Sequence, residues 1–177
     1  MKTKTVKKKI GKNKAIERAM HAVQSPNQEK KILLTPIQSG TAIDHLNPGT
    51  AIKVLEVLEL AGNRVSAGMN VESKKMGKKD LIFIEGKKLS DEEVSKIALL
   101  GHGATINIIE NSRVVRKEKI EVPHEVKRII RCINPLCITN KEGVATRFSV
   151  NTSPISAKCF YCETNMTERE IISAIIV

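Results

Sequence analysis

Residues 40–62 read GTAIDHLNPGTAIKVLEVLELAG, and the change of period inside that stretch decides the fold. Gly40-Thr41-Ala42-Ile43-Asp44-His45 is a short strand that ends in polar groups. Asn47-Pro48 then opens a helix, with Asn as cap and Pro in the first turn, where its missing N–H has no intrahelical partner to lose. Ala51, Val54, Leu55 and Leu58 recur at helical spacing, while Lys53, Glu56 and Glu59 turn to water. Gly62 supplies the stop.

Downstream the same two periods alternate. Val65, Ala67, Met69 and Val71 make a half-buried strand. A Lys-rich loop, Ser73 to Lys79, leads to a compact strand at Leu81–Ile84. Ser90-Asp91-Glu92-Glu93 is a capping box for a second helix, with Val94, Ile97 and Ala98 inward and Gly101 at its end. Ala104, Ile106 and Ile108 form another strand, and Arg113–Arg116 returns as a hairpin arm. The order from Gly40 is βαββαβ, the ferredoxin-like split unit: an antiparallel sheet with two helices on one face. Upstream, residues 32–37 are an apolar run broken by Pro36 and read as a strand on a sheet edge.

A polar link at 118–128 containing Pro123 separates this unit from a smaller β-rich module. Thr167-Glu168-Arg169-Glu170 is a second capping box before a short apolar terminal helix. The chain therefore divides into a basic tail (1–31), an α/β domain with its own core (32–122) and a small C-terminal domain (123–177). The fold class is α+β.

The small domain carries all four cysteines, as Cys132-x4-Cys137 and Cys159-x2-Cys162 with 21 residues between the pairs. Two close pairs on separate turns offer four thiolates at tetrahedral corners, the set that structural zinc takes. A module of this size has too little core to hold itself by apolar burial alone, so a metal there supplies folding energy. Four protein ligands leave no open position for a reacting water. A redox pair, disulfides, or iron with the same ligands are the alternatives. A chain with no export signal favours metal over disulfide.

Charge narrows the partner classes. The formal net charge is +11, but residues 1–31 hold ten Lys/Arg against two acids, leaving the rest nearly balanced. The tail reads as a solvated extension, or as an overlong start with Met20 as the real initiator, in preference to an arm for an acidic partner. One Tyr, three Phe and no Trp offer few platforms for stacking bases, which argues against a zinc-ribbon RNA-binding protein. No apolar run is long enough for a membrane span, and no signal peptide opens the chain, so a cytoplasmic protein is expected. No nucleophile–base set stands out among the side chains, which argues against an enzyme. His102 lies between two glycines in a loop and His124 in the linker. Asp44-His45 ends a strand beside a helix start, where turn chemistry and a binding site both remain open. Lys74, Lys75, Lys78 and Lys79 form a basic run that a solvated loop would also show.

Four short motifs in order carry a resemblance. Gly40-Thr41-Ala42-Ile43-Asp44-His45 resembles the G-T-V-I-D-H signature of the aspartate carbamoyltransferase regulatory chain. Met76-Gly77-Lys78-Lys79-Asp80-Leu81-Ile82 looks like that family's M-G-[RK]-K-D-L-I, and Ala104-Thr105-Ile106-Asn107-Ile108-Ile109 like its A-T-[VI]-N-x-I strand. Both cysteine pairs match its zinc domain, with Asn134 in the first loop. The resemblance runs from about Leu34 to the C-terminus.

It implies a non-catalytic allosteric subunit of the pyrimidine pathway with one structural zinc ion. Its α/β domain would bind nucleotide triphosphates such as CTP, UTP and ATP, and two copies would pair through their sheets. Its zinc domain would dock on the catalytic chain. Asp44 corresponds to a ribose contact, His45 and Lys117 to phosphate contacts, and Asn107 to the far phosphates. Lys79 matches a nucleotide-site lysine, while Leu34 and Ile37 would hold the base through backbone groups. Three positions depart from the pattern: Phe83 stands for a lysine that reaches sugar and base, Ser112 for an aromatic residue, and Leu136 for a polar one.

Overall fold

A computed structural model describes residues 37–176. The basic tail, Leu34 and most of the expected edge strand at 32–37 lie outside the described residues. Ile37, the last residue of that run, is described: it is buried and belongs to no strand.

The first half runs β1 (Gly40–Leu46), α1 (Thr50–Val57), β2 (Val65–Ser73), β3 (Gly77–Glu85), α2 (Asp91–Leu100), β4 (Thr105–Glu110) and β5 (Arg113–Lys119). These strands form one sheet in the order β2-β3-β1-β4-β5, and every recorded pairing is antiparallel. The first four strands reproduce the split βαββαβ arrangement, and β5 adds one strand beyond β4. One face of the sheet is apolar: Ile43, Leu46, Ile82, Ile84 and Ile106 bury against Ala51, Val54, Ile97 and Ala98 of the helices. The other face carries a separate small cluster of Ile37, Ala42 and Ile109 with Phe83 packed against it.

Helix α1 is shorter than its apolar spacing suggests. Gly49 adopts φ 86, in the left-handed region, so Asn47-Pro48 forms a turn and the helix starts at Thr50. Leu58 is buried but already extended. Helix α2 follows its sequence signal: Ser90 Oγ accepts the Glu93 N–H at 3.2 Å, and the Glu93 carboxylate accepts the Ser90 N–H at 2.9 Å. The strict alternation read in β2 fails at a register shift between Gly68 and Val71, which leaves Met69 exposed.

The second half forms a four-stranded antiparallel sheet from β6 (Glu125–Lys127), β7 (Arg147–Thr152), β8 (Ile155–Cys159) and β9 (Asn165–Thr167), in that order. Two short helices accompany it, α3 (Ile138–Lys141) and α4 (Glu168–Ala174). The two sheets do not have separate cores. Ile120, Val126, Ile129, Ile130, Phe148 and Ile171 join the same buried cluster as Ile97 and Leu99. His102 Nδ1, after α2, lies 3.8 Å from Glu168 Oε1 at the start of α4. The polar link read at 118–128 contributes Ile120 and Val126 to the buried cluster that the two sheets share. Among the described residues no helix is long and apolar enough to cross a membrane.

Candidate functional site

Two places collect the residues singled out in the sequence. At the first, the loop between β6 and α3 and the end of β8 with its turn to β9 bring Cys132, Cys137, Cys159 and Cys162 together, with all four Sγ atoms within 4.8 Å of one another. Cys132 Sγ lies 3.5 Å from Cys162 Sγ, and Cys137 Sγ lies 3.8 Å from Cys159 Sγ. A disulfide needs about 2.05 Å, so neither pair is bonded. Four sulfurs about 2.3 Å from a central zinc stand about 3.8 Å apart at tetrahedral corners. The donor set therefore fits zinc in both chemistry and spacing.

The loops around the cysteines are fixed by side-chain amides. Asn134 Oδ1 accepts the Leu136 N–H at 2.9 Å, and Asn140 Nδ2 donates to the carbonyls of Cys132 and Asn134, each at 2.8 Å. Thr139 Oγ1 donates to Cys137 Sγ at 3.2 Å. Burial pushes the Cys132 and Cys159 thiols up, whereas at Cys162 contacts from Thr164, Cys132 and Cys137 together outweigh burial and bring it down to about 6. Metal must displace protons from the raised thiols, so its hold weakens as pH falls.

The second place is the face of the first sheet turned away from the helices. Paired residues in neighbouring strands share a face. The pairings Ser66–Phe83, Phe83–Ala42, Ala42–Asn107 and Asn107–Lys117 therefore form one row across the sheet. Asp44 follows Ala42 on the same face, opposite Thr105. Lys79 Nζ reaches Asp44 Oδ1 at 2.6 Å. The backbone N–H of His45 donates to the same oxygen at 2.7 Å. His45 Nδ1 lies 3.1 Å from Asp44 Oδ2, yet off the direction of a hydrogen bond, so that distance describes proximity alone. Burial opposes the charge on Asp44, but the bonds from Lys79 and His45 prevail and hold its carboxyl below the ordinary carboxylate value.

The face thus has an apolar patch at Ile37, Ala42, Phe83 and Ile109, with Asn107 and Lys117 beside it and the Asp44–His45–Lys79 group at one end. Asp44, His45, Lys79, Asn107 and Lys117 come together on one side of one sheet. Ser112 has φ 60 in the β4–β5 turn and donates its N–H to the Gln38 carbonyl.

One buried charge went unread. Asp80 is fully buried and accepts three backbone N–H bonds. Its signal was present, because Asp80, Ile82 and Ile84 fall on one side of an alternating strand and the first of them is charged.

Two family models match the chain in tandem. The model for the aspartate carbamoyltransferase regulatory chain, allosteric domain, covers residues 32–121. The model for that chain's metal binding domain covers residues 124–172, including all four cysteines. The chain belongs to the aspartate carbamoyltransferase regulatory chain family.

Curated relatives agree along nearly their whole length. The regulatory chain of Pyrococcus horikoshii is 47% identical over 148 residues, covering 81% of this chain and 97% of its own. Those of Thermococcus sibiricus and Sulfolobus acidocaldarius are each 44% identical, over 149 and 152 residues. They cover 83% of this chain in both cases, and 99% and 93% of their own lengths. The family is that of the regulatory chain, not the catalytic chain, and the reading of a non-enzyme stands on that membership. The matched metal-binding domain and the thiolate tetrad together assign one structural zinc to Cys132, Cys137, Cys159 and Cys162.

Proposed function

We propose that this chain binds nucleotide triphosphates on the open face of its first sheet and passes their occupancy to the catalytic chain of aspartate carbamoyltransferase. The observation that carries the reading is the strand register. It sets an apolar patch beside Asn107 and Lys117, with Asp44, His45 and Lys79 at one end of the same face. A base and sugar suit the apolar part. An anionic tail suits Lys79 and Lys117, whose charged hydrogen bonds to phosphate oxygens are stronger than neutral ones, with the His45 ring beside them. Asp44 would accept from a ribose hydroxyl, Asn107 would meet the far phosphates, and Leu34 and Ile37 would offer backbone groups to the base.

The docking surface in this reading is the metal module. Leu136 is 77% exposed and Phe160 63% exposed, and Ile133, Ile138 and Tyr161 also show large apolar area. These side chains lie next to the cysteines in sequence, so one zinc ion would shape the patch that meets the catalytic chain. The division of labour is then a nucleotide-binding domain at 32–122 and a docking domain at 123–177. We place the complex in the cytoplasm, with two regulatory chains paired through their sheets.

Co-expression with the organism's catalytic chain and titration calorimetry with CTP, UTP and ATP test the proposal. Saturable triphosphate binding, a co-purifying complex and nucleotide-dependent activity of that complex are expected. A complex whose activity ignores all three nucleotides, on a chain that binds none of them, would overturn it. Signalling of this kind corresponds to a coupling free energy of about 1–3 kcal/mol.

A further inference from the structure

Two irregularities face each other across β3. In β1 the pairing with β3 shifts between Ile43 and Leu46, so Asp44 and His45 together oppose Leu81 alone. In β2 it shifts between Gly68 and Val71, so Met69 and Asn70 together oppose Asp80 alone. Each bulge holds one residue other than glycine in the left-handed region, His45 at φ 61 and Asn70 at φ 53. Such residues persist only where surrounding bonds fix them, and bulges re-aim the side chains beside them.

Asp80 sits between the two. Its Oδ1 accepts the Asn70 N–H at 2.8 Å. Its Oδ2 accepts the Gly49 N–H at 2.8 Å and the Ala51 N–H at 3.2 Å. Helix α1 has no cap from its own N-cap residue, so Asp80 caps it from a different strand. One fully buried carboxylate thus fixes the β2 bulge and the turn that follows His45. Lys79, the residue before it, points to the opposite face and meets Asp44.

We propose that Asp80 is the positioning residue of the Asp44–His45–Lys79 group: it holds the β2 bulge and the turn that leaves the β1 bulge, and through them the geometry of the phosphate end of the site. The link to phosphate rests on the function proposed above; the positioning of the three side chains does not. The carboxylate works from the helix side of the sheet and touches no ligand. An amide of equal size would keep the volume but would set an N–H₂ group against backbone N–H donors, a buried mismatch that the bulges must relax to escape.

The experiment compares the full-length wild type, Asp80→Asn and Val54→Ala, a core change on α1 that lowers stability without touching Asp80. The first reading, without nucleotide, is the His45 imidazole signal by ¹H–¹⁵N NMR. It should move in Asp80→Asn and stay in place in Val54→Ala. The second is CTP and ATP titration, where Asp80→Asn should weaken both about tenfold and Val54→Ala should not. A His45 signal unmoved by Asp80→Asn would reduce Asp80 to a plain helix cap and sink the inference. Wild-type protein that binds no triphosphate, with the His45 signal still moved in Asp80→Asn, would instead overturn only the nucleotide reading. Should Asp80→Asn not fold, amide exchange in the wild type decides. The Gly49, Ala51 and Asn70 amides should gain at least tenfold protection when CTP is added at saturation, and unchanged protection counts against Asp80 as the link.

Discussion

At position 83 a phenyl ring packs against Ile37, Ala42 and Ile109, in the row that continues to Asn107 and Lys117. A ring can stack on any base but cannot donate a hydrogen bond to a pyrimidine carbonyl or a ribose hydroxyl, and stacking separates bases poorly. Wild-type protein is therefore expected to separate CTP from ATP weakly. Phe83→Lys should sharpen that preference, and calorimetry on both forms checks it; a strong wild-type preference for CTP, unchanged in the variant, would show that another residue reads the base. In the proposed site Lys117→Ala would remove a charged contact worth about 1.5–3 kcal/mol, so all triphosphates should weaken together by about ten- to a hundred-fold. Asp44 adds a pH signature. Its folded pKa lies below the unfolded value because of Lys79 and His45, so its contribution to stability is present above the ordinary carboxylate value and is lost as pH falls through the lower folded value. Asp44→Asn should flatten the acid limb of a stability-against-pH curve and leave the neutral-to-alkaline shape unchanged. These residues were readable as types in a motif. The register that aligns Phe83 with Lys117 was not, because it depends on four strand pairings that no single segment encodes.

At the level of the element, legibility followed the locality of the bonds. The cap of α2 is closed by Ser90 and Glu93 three residues apart, and the sequence located it to the residue. Ser90→Ala should lower stability by about 1 kcal/mol, seen as a lower Tm with unchanged zinc content; an unaltered Tm would mean that packing alone sets this helix start. The start of α1 was misplaced because its cap comes from Asp80, 30 residues beyond the first helical position, through space. The alternation in β2 was misread for a related reason. A bulge adds one residue, and every side chain after it changes face. Nothing in Val65 to Val71 announces that extra residue except Asn70, a residue tolerant of left-handed backbone. The metal loops were easier. Two cysteine pairs at short spacing imply a shared ion whatever the intervening strands do, and the structure added the amides of Asn134 and Asn140 that keep the first loop in shape.

For the whole molecule, the buried cluster shared by the two sheets leads to the expectation that they unfold together. Chelating the metal, or changing Cys137 to Ala, should therefore lower the denaturation midpoint reported from both sheets, not only from the C-terminal one. It should also abolish binding of the catalytic chain. Amide exchange at Ile97 and at Val150 during denaturant titration is the measurement, and loss of the Val150 core with Ile97 unaffected would show two independent domains. The same continuity offers a physical route for coupling: α2 packs toward α4, with His102 and Glu168 at their junction, and the cysteine loops belong to the same buried cluster. The basic tail carries a different expectation, drawn from its charge alone. A chain starting at Gln28 should assemble with the catalytic partner as the full chain does at physiological salt, and a large loss of assembly would mark the tail as an interaction arm.

The sequence alone determined the α+β class, the βαββαβ order and the thiolate tetrad. Each of these is written in local periodicity, in spacing, or in residue chemistry that context does not change. Only the tertiary structure decided that Asp44, His45, Lys79, Asn107 and Lys117 share a face, that Asp80 bonds the β2 bulge and the turn into α1 beside them, and that one buried cluster joins both sheets. Those facts follow from pairings between segments distant in the chain. Their energy lies in burial and in bonds closed through space, and a residue's own neighbours in sequence carry no record of either.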